Sequence, residues 1–119
     1  RTDRESWHDK SWVVGIQIGA ASKAYDWNRL SEQRIINDRL AETPVVLALA
    51  ADQRSFAVFE RPADAGEFSI SDDILLANGK SYDLAGRDLA DPSRQLKRVP
   101  ASQEFWHSWR TFHPDTQRY

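Results

Sequence analysis

Residues 102–113 read SQEFWHSWRTFH and are closed by Pro114. Phe105 and Trp109 are four apart, Trp106 and Trp109 three apart, and Trp109 and Phe112 three apart, which predicts an α-helix with four rings on one broad face. Ser102 is the expected N-cap, because its hydroxyl can accept a bond from an orphaned backbone N–H. Glu104 in the first turn and Arg110 in the last complement the helix dipole. Pro114 turns His113 away from the α-conformation and stops the helix there. Each buried ring is worth about 1.5–3 kcal/mol, against about 5–15 kcal/mol for the net stability of a domain. The rings are therefore expected to be core, one exposed indole edge excepted.

A helix so rich in rings needs a surface to cover, and the rest of the chain reads as strands. Trp12–Ile18 is rich in valine and isoleucine and broken by Gly15. Gly19–Ser22 turns, and Lys23–Trp27 returns. Asn28 is expected to cap a short helical turn through Gln33, and Arg34–Leu40 (RIINDRL) fits a helix or a strand. After the breaker Ala41–Pro44, the apolar run Val45–Leu49 is the expected central strand. Phe56–Arg61 alternates until Pro62 stops it, and Glu67–Ser71 is a further candidate. Ile74–Ala77, Asn78-Gly79 and Lys80–Leu84 form the clearest signal, a hairpin, since Asn-Gly supplies the two positive-φ residues of a type I′ turn. Gly86–Pro92 reads as loop, and Leu96–Val99 as a last strand. Short strands followed by one late helix imply a mainly β, β-rich α+β fold. The expectation is an antiparallel sheet or partly open small barrel with the C-terminal aromatic helix packed on it.

At 119 residues the chain fits one domain. Arg1–Lys10 is polar and reads as a linker or arm, leaving residues 11–119 as a single β-rich domain. Sixteen basic against 18 acidic residues give a net charge of -2, so nothing in the charge balance points to nucleic acid. The densest basic stretch, Arg94–Arg98, reads as a solvated strand face. No apolar run approaches the roughly 18 residues that span a bilayer. There is no cysteine, which excludes disulfides and thiolate chemistry from these residues. There is no methionine either, so the chain is expected to be a piece of something longer, from which an anchoring or targeting segment could have been lost.

Three blocks, VVGIQIGAASKAYDW (residues 13–27), IINDRLAETPVVLAL (35–49) and KSYDLAGRDL (80–89) with LKRVPASQEFWHSWRTFHPDTQRY (96–119), resemble the bacterial family called domain of unknown function 3179. The last block is the most specific, a W-x-x-W helix followed by F-H-P-D-T. The resemblance covers nearly all of Trp12–Tyr119. It implies a compact β-rich domain, often in proteins with signal peptides or membrane anchors and so outside the cytoplasm. It also implies a departure: many relatives carry Cys-Pro-x-Cys between the strand starting at Pro44 and the one ending at Arg61, and an ungapped match places Ala50 and Gln53 at the cysteine positions. Any redox or metal chemistry of that motif is absent here. Asp26 stands where relatives commonly have proline.

Among residues that could carry chemistry, His8, His107 and His113 offer no metal spacing, since His107 and His113 lie on different sides of a helix. Neither a metal nor a cofactor is expected. No G-x-S-x-G occurs, and Ser108 beside His107 points about 100° away from it. The carboxylates Asp72/Asp73, Asp83/Asp88 and Asp38 read as turn or strand-end residues. Asn37 and Asp38 either fix a bend through nearby backbone or line a cleft with Tyr25 and the outward edge of the Trp109 helix. That second reading gives the ligand-binding set Tyr25, Asn37, Asp38, Trp109 and His113, with no catalytic residue.

The sequence thus points first to a non-catalytic extracytoplasmic binding or accessory domain of a larger bacterial protein, anchored to the membrane if a missing segment provides for it. Its partner is an unspecified protein or small ligand. A degenerate redox or metal-handling module is the second reading, favoured by a cluster of histidine and carboxylates beside Ala50 and Gln53. A small carboxylate-dependent hydrolase is the third, favoured by two carboxylates in one cleft.

Overall fold

The computed structural model describes residues 7–119. The described residues form β1 (Trp12–Ile18), β2 (Ala21–Asp26), α1 (Trp27–Gln33), β3 (Ile35–Leu40), β4 (Thr43–Leu49), β5 (Phe56–Glu60), β6 (Ser69–Ser71), β7 (Ile74–Ala77), β8 (Lys80–Tyr82), β9 (Ala101–Phe105), α2 (Trp106–Phe112) and β10 (Gln117–Arg118). They make three sheets, ordered β10-β2-β1-β9, β3-β4-β5 and β6-β7-β8. All neighbours are antiparallel except β10, which runs parallel to β2. The sheets stack and do not close into a barrel. The expected mainly β fold with a C-terminal helix is the one observed.

Alternation along the strands explains the stack. In β1, Val14 and Ile16 enter a core shared with Leu30 of α1, Ile36 and Leu40 of β3 and Val45, Leu47 and Leu49 of β4. Val13 faces the other way, with Ala24, onto Trp106 and Trp109 of α2. In β4 the even residues Val46 and Ala48 turn to a second core with Phe59, Phe68, Leu75 and Tyr82. The order of layers is therefore α2, the β1 sheet, the β4 sheet and the β7 sheet. Val45–Leu49 lies between two of its neighbours, as its continuous apolar run suggested.

Several local expectations need correction. The chain from Ala101 to Phe105 is a strand, with Ser102 opposite Gly15 and Phe105 opposite Trp12, so the helix begins three residues later than a Ser102 cap would place it. Ser102 does not cap it. Phe105 holds the N-cap position with no side-chain bond, and the orphaned N–H groups of Trp106 and His107 donate to the carbonyls of Ser11 and Asp9. The four rings also do not share one face. Trp106 and Trp109 are buried, whereas Phe105 is 40% exposed, stacked on Trp12 at 4.2 Å, and Phe112 is 76% exposed. Strand alternation sends the Phe105 ring to the face of the sheet opposite α2.

Asn28 is not the cap of α1. Asp26 is, accepting the Asn28 N–H, and Arg34 ends the helix with φ 62°. The ambiguous RIINDRL is strand. Asn78 and Gly79 have φ 50° and 78°, the turn expected of that hairpin. Leu96–Val99 forms no strand of its own. It runs beside β5 through one bridge, Phe59 to Arg98, before the chain crosses to β1 as β9. Of the segment Arg1–Lys10, residues 1–6 lie outside the described residues. Trp7 meets Trp106 edge-on at 5.0 Å, and Asp9 pairs with Arg110 at 2.8 Å.

Candidate functional site

The residues singled out from the sequence fall into four separate places. Tyr25 and Asp38 come together between the β1 and β4 sheets, where the Tyr25 hydroxyl donates to Asp38 Oδ2 at 2.7 Å and Lys23 Nζ lies 2.7 Å from the same oxygen. Burial alone would raise the Asp38 carboxyl, but the bonds from Lys23 and Tyr25 outweigh it and hold the group below its ordinary range. Burial, then the bond to Asp38, pushes the Tyr25 phenol far above its ordinary value. Tyr119 packs on Tyr25 at 5.2 Å, and Arg29 lies 4.7 Å from the Tyr119 ring.

Asn37 is one residue away and so faces the opposite side of β3. Its amide donates to the Phe68 carbonyl at 2.9 Å and accepts the Phe68 N–H at 2.8 Å. The side chain thereby imitates a strand partner and fastens the approach to β6 onto the β4 sheet. Trp109 and His113 form a third group on the far side of the β1 sheet, stacked at 3.8 Å, with Trp109 Nε1 donating to Thr116 Oγ1. They line a shallow groove with Ser102 and Glu104, separated from Tyr25 by the sheet itself.

Ala50 and Gln53 lie in the β4–β5 turn, which is closed by the bond from the Gln53 N–H to the Ala50 carbonyl. Asp52 folds back on that turn and accepts from Ser55 and Arg54, which holds its carboxyl down to about 2. Asp73 accepts the Ala51 N–H and a bond from Arg34, which also donates to the carbonyls of Leu49 and Asp72. These groups brace the turn. Among the described residues, no three His, Cys, Asp or Glu side chains gather in a metal-holding group.

A further cleft lies elsewhere, at the mouth between the β4 and β7 sheets. It has a volume of about 370 Å³ and is lined by Pro62, Asp64 and Ala65 after β5, by Ala77, Asn78, Lys80 and Tyr82 of the hairpin, and by Asp88, Arg94, Gln95 and Leu96. Its size falls in the range of small-molecule sites, about 300–1,000 Å³. Lys80 and Tyr82 are alternate residues of β8 and share a face. Asp88 bridges directly opposite Tyr82, and Arg87 opposite Gln95, so the loop folds back as an irregular extension of the sheet. Gly86 permits this fold: it has φ 88°, and a side-chain carbon there would come within 2.7 Å of Phe59.

Within the cleft, Asp88 is only 3% exposed, and its Oδ1 accepts the N–H groups of Ala90 and Asp91. Lys80 Nζ is 3.7 Å from its Oδ2. Tyr82 is 6% exposed and its ring packs against Phe68, yet its hydroxyl has no hydrogen-bond partner among the described residues. Burial raises its pKa, and the charges of Asp88 and Asp64 push the same way. In the sequence Asp83 and Asp88 read as turn or strand-end residues, and Tyr82 carries no functional signal on its own. The available signal was K-x-Y directly after Asn-Gly, which sets Lys80 and Tyr82 on one face.

Stacked sheets with a polar cleft at the mouth of one interface define a β-rich domain. The family model described as Protein of unknown function (DUF3179) matches residues 1–116, and the chain belongs to that family. No curated protein and no solved structure matches it.

Proposed function

We propose that this domain is a non-catalytic binding module, and that the cleft between the β4 and β7 sheets takes a small polar ligand. The observation that carries this reading is Tyr82, whose ring is buried while its hydroxyl has no hydrogen-bond partner among the described residues, in a cleft that also holds Lys80 and Arg94. With no acceptor of the described chain engaging it, that hydroxyl is free to donate to a ligand. Binding is favoured over reaction because Asp88 already serves the backbone of its own loop. The test is a fragment screen by amide chemical-shift mapping. Shifts clustering at residues 62–66, 78–82 and 88–96 support the reading, and a screen whose hits avoid these segments refutes it.

One observation favours a hydrolase as a second reading, since Asp64 and Asp88 line the same cleft. Hydrolysis of a glycoside or ester panel that disappears in Asp64→Asn would establish it. The degenerate redox reading has less support, because the turn holding Ala50 and Gln53 carries neither a thiol nor a histidine.

The setting proposed with the binding role is that of an accessory domain outside the cytoplasm, in a larger protein with a membrane anchor. Its support is the family likeness. Cell fractionation of the native protein tests it, and recovery in the cytoplasmic fraction would refute it.

A further inference from the structure

We propose that the ligand of this cleft is a small carboxylate that also carries hydroxyl donors, chemically an acidic sugar or hydroxy acid. Lys80 and Arg94 hold its carboxylate, and Tyr82 donates beside them. The inference rests on the cleft being the binding site and adds the class of ligand it selects.

The cations are available. Lys80 Nζ stands 3.7 Å from Asp88 Oδ2, and Arg94 Nε 3.8 Å from Asp91 Oδ2, well beyond the about 2.7–2.9 Å of a charge-assisted hydrogen bond. The two cationic side chains are 48% and 68% exposed, so their charged ends reach solvent and an incoming ligand. Neither carboxylate depends on its cation. Asp88 Oδ1 takes two backbone N–H groups, and Asp91 Oδ1 takes the N–H and O–H of Ser93. An incoming carboxylate therefore displaces weak contacts and gains two cations.

Tyr82 supplies the second half of the recognition. Its hydroxyl keeps its proton at neutral pH, so it meets the ligand as a donor. The remaining lining explains why a bare anion is a poor fit. Asp64 and Asp88 stand in the same cleft as Lys80 and Arg94, two negative charges against two positive. A ligand without donors would leave the carboxylates facing its own charge, whereas hydroxyl groups on the same molecule satisfy them.

The test is titration of the whole chain with D-glucuronate, acetate and D-glucose, following the amides of residues 78–82 and 88–96. Glucuronate is expected to bind more tightly than the other two. The double variant Lys80→Gln/Arg94→Gln is expected to weaken it roughly tenfold or more, from the loss of charged hydrogen bonds, in a chain whose amide spectrum outside the cleft is unchanged. Glucose binding as tightly as glucuronate, or glucuronate binding unchanged in the double variant, would overturn the ligand class. Acetate matching glucuronate would overturn the role of the hydroxyl donors. If glucuronate leaves the cleft amides unmoved while the fragment screen finds hits there, only the ligand class falls. If the screen also avoids the cleft, the site reading falls with it.

Discussion

Trp109 occupies the space that any side chain at Gly15 would need: a carbon added there would overlap the six-membered ring of the indole. The close approach of α2 to β1 depends on that missing side chain. Gly15→Ala is expected to destabilise the fold by about 1–3 kcal/mol, the usual cost of overpacking. Gly15→Ala combined with Trp109→Ala should cost less than the sum of the two single changes. Urea denaturation of the four proteins checks this, and strict additivity would show that the two residues do not compete for one space.

The Tyr25–Asp38–Lys23 group makes stability depend on pH at both ends. Asp38 has a depressed folded pKa, so its contribution is present above the ordinary value of 3.8 and is lost as pH falls through the folded value. Tyr25 is raised, so its contribution is present below the ordinary value of 10.0 and is lost as pH climbs past it. Thermal melts across pH should therefore slope downward on both sides. Asp38→Asn should flatten the acid side, and an unchanged acid slope in that variant would assign it to other carboxylates.

Two tyrosines with buried rings should respond differently to losing a hydroxyl. Tyr25→Phe breaks a 2.7 Å bond to Asp38 and is expected to cost about 1–3 kcal/mol. Tyr82→Phe removes a hydroxyl that no group among the described residues satisfies, and stability should hold or rise. Equal losses in the two variants would mean that Tyr82 is bonded within the protein.

Asn37 provides the clearest case of one side chain holding two layers. Asn37→Ala deletes both bonds to Phe68, and about 1–3 kcal/mol of stability should go with them. Asn37→Asp should cost more, because a carboxylate would then face the Phe68 carbonyl. Hydrogen exchange in β6, β7 and β8 should accelerate before that in β1 and β2. Uniform acceleration would show that the layers unfold as one unit.

How much of this was legible in the sequence follows from where each partner sits. The β7–β8 hairpin was visible because Asn78-Gly79 specifies its own turn. The stop of α2 was visible because Pro114 acts on its neighbour. The start of α2 was not, since its first N–H groups are satisfied by Asp9 and Ser11, about a hundred residues away, and the pairing of β9 with β1 overrides the helical spacing of Phe105. RIINDRL looked ambiguous because strand alternation sends Asn37 and Asp38, both polar, to opposite interfaces. Their partners lie 31 residues ahead in Phe68 and 13 behind in Tyr25. The cleft was hidden for the same reason: its walls come from three segments that only the stacking of sheets brings together.

The two-sided burial of β4 has a consequence for how the sequence can change length. Val45, Leu47 and Leu49 serve one core while Val46 and Ala48 serve the other. Loss or gain of a single residue within the strand would exchange the two sets at once and mismatch both interfaces. Insertions between layers, as in the turn 63–66, leave that parity untouched. Length variation in related sequences is accordingly expected in the connections and not inside Thr43–Leu49.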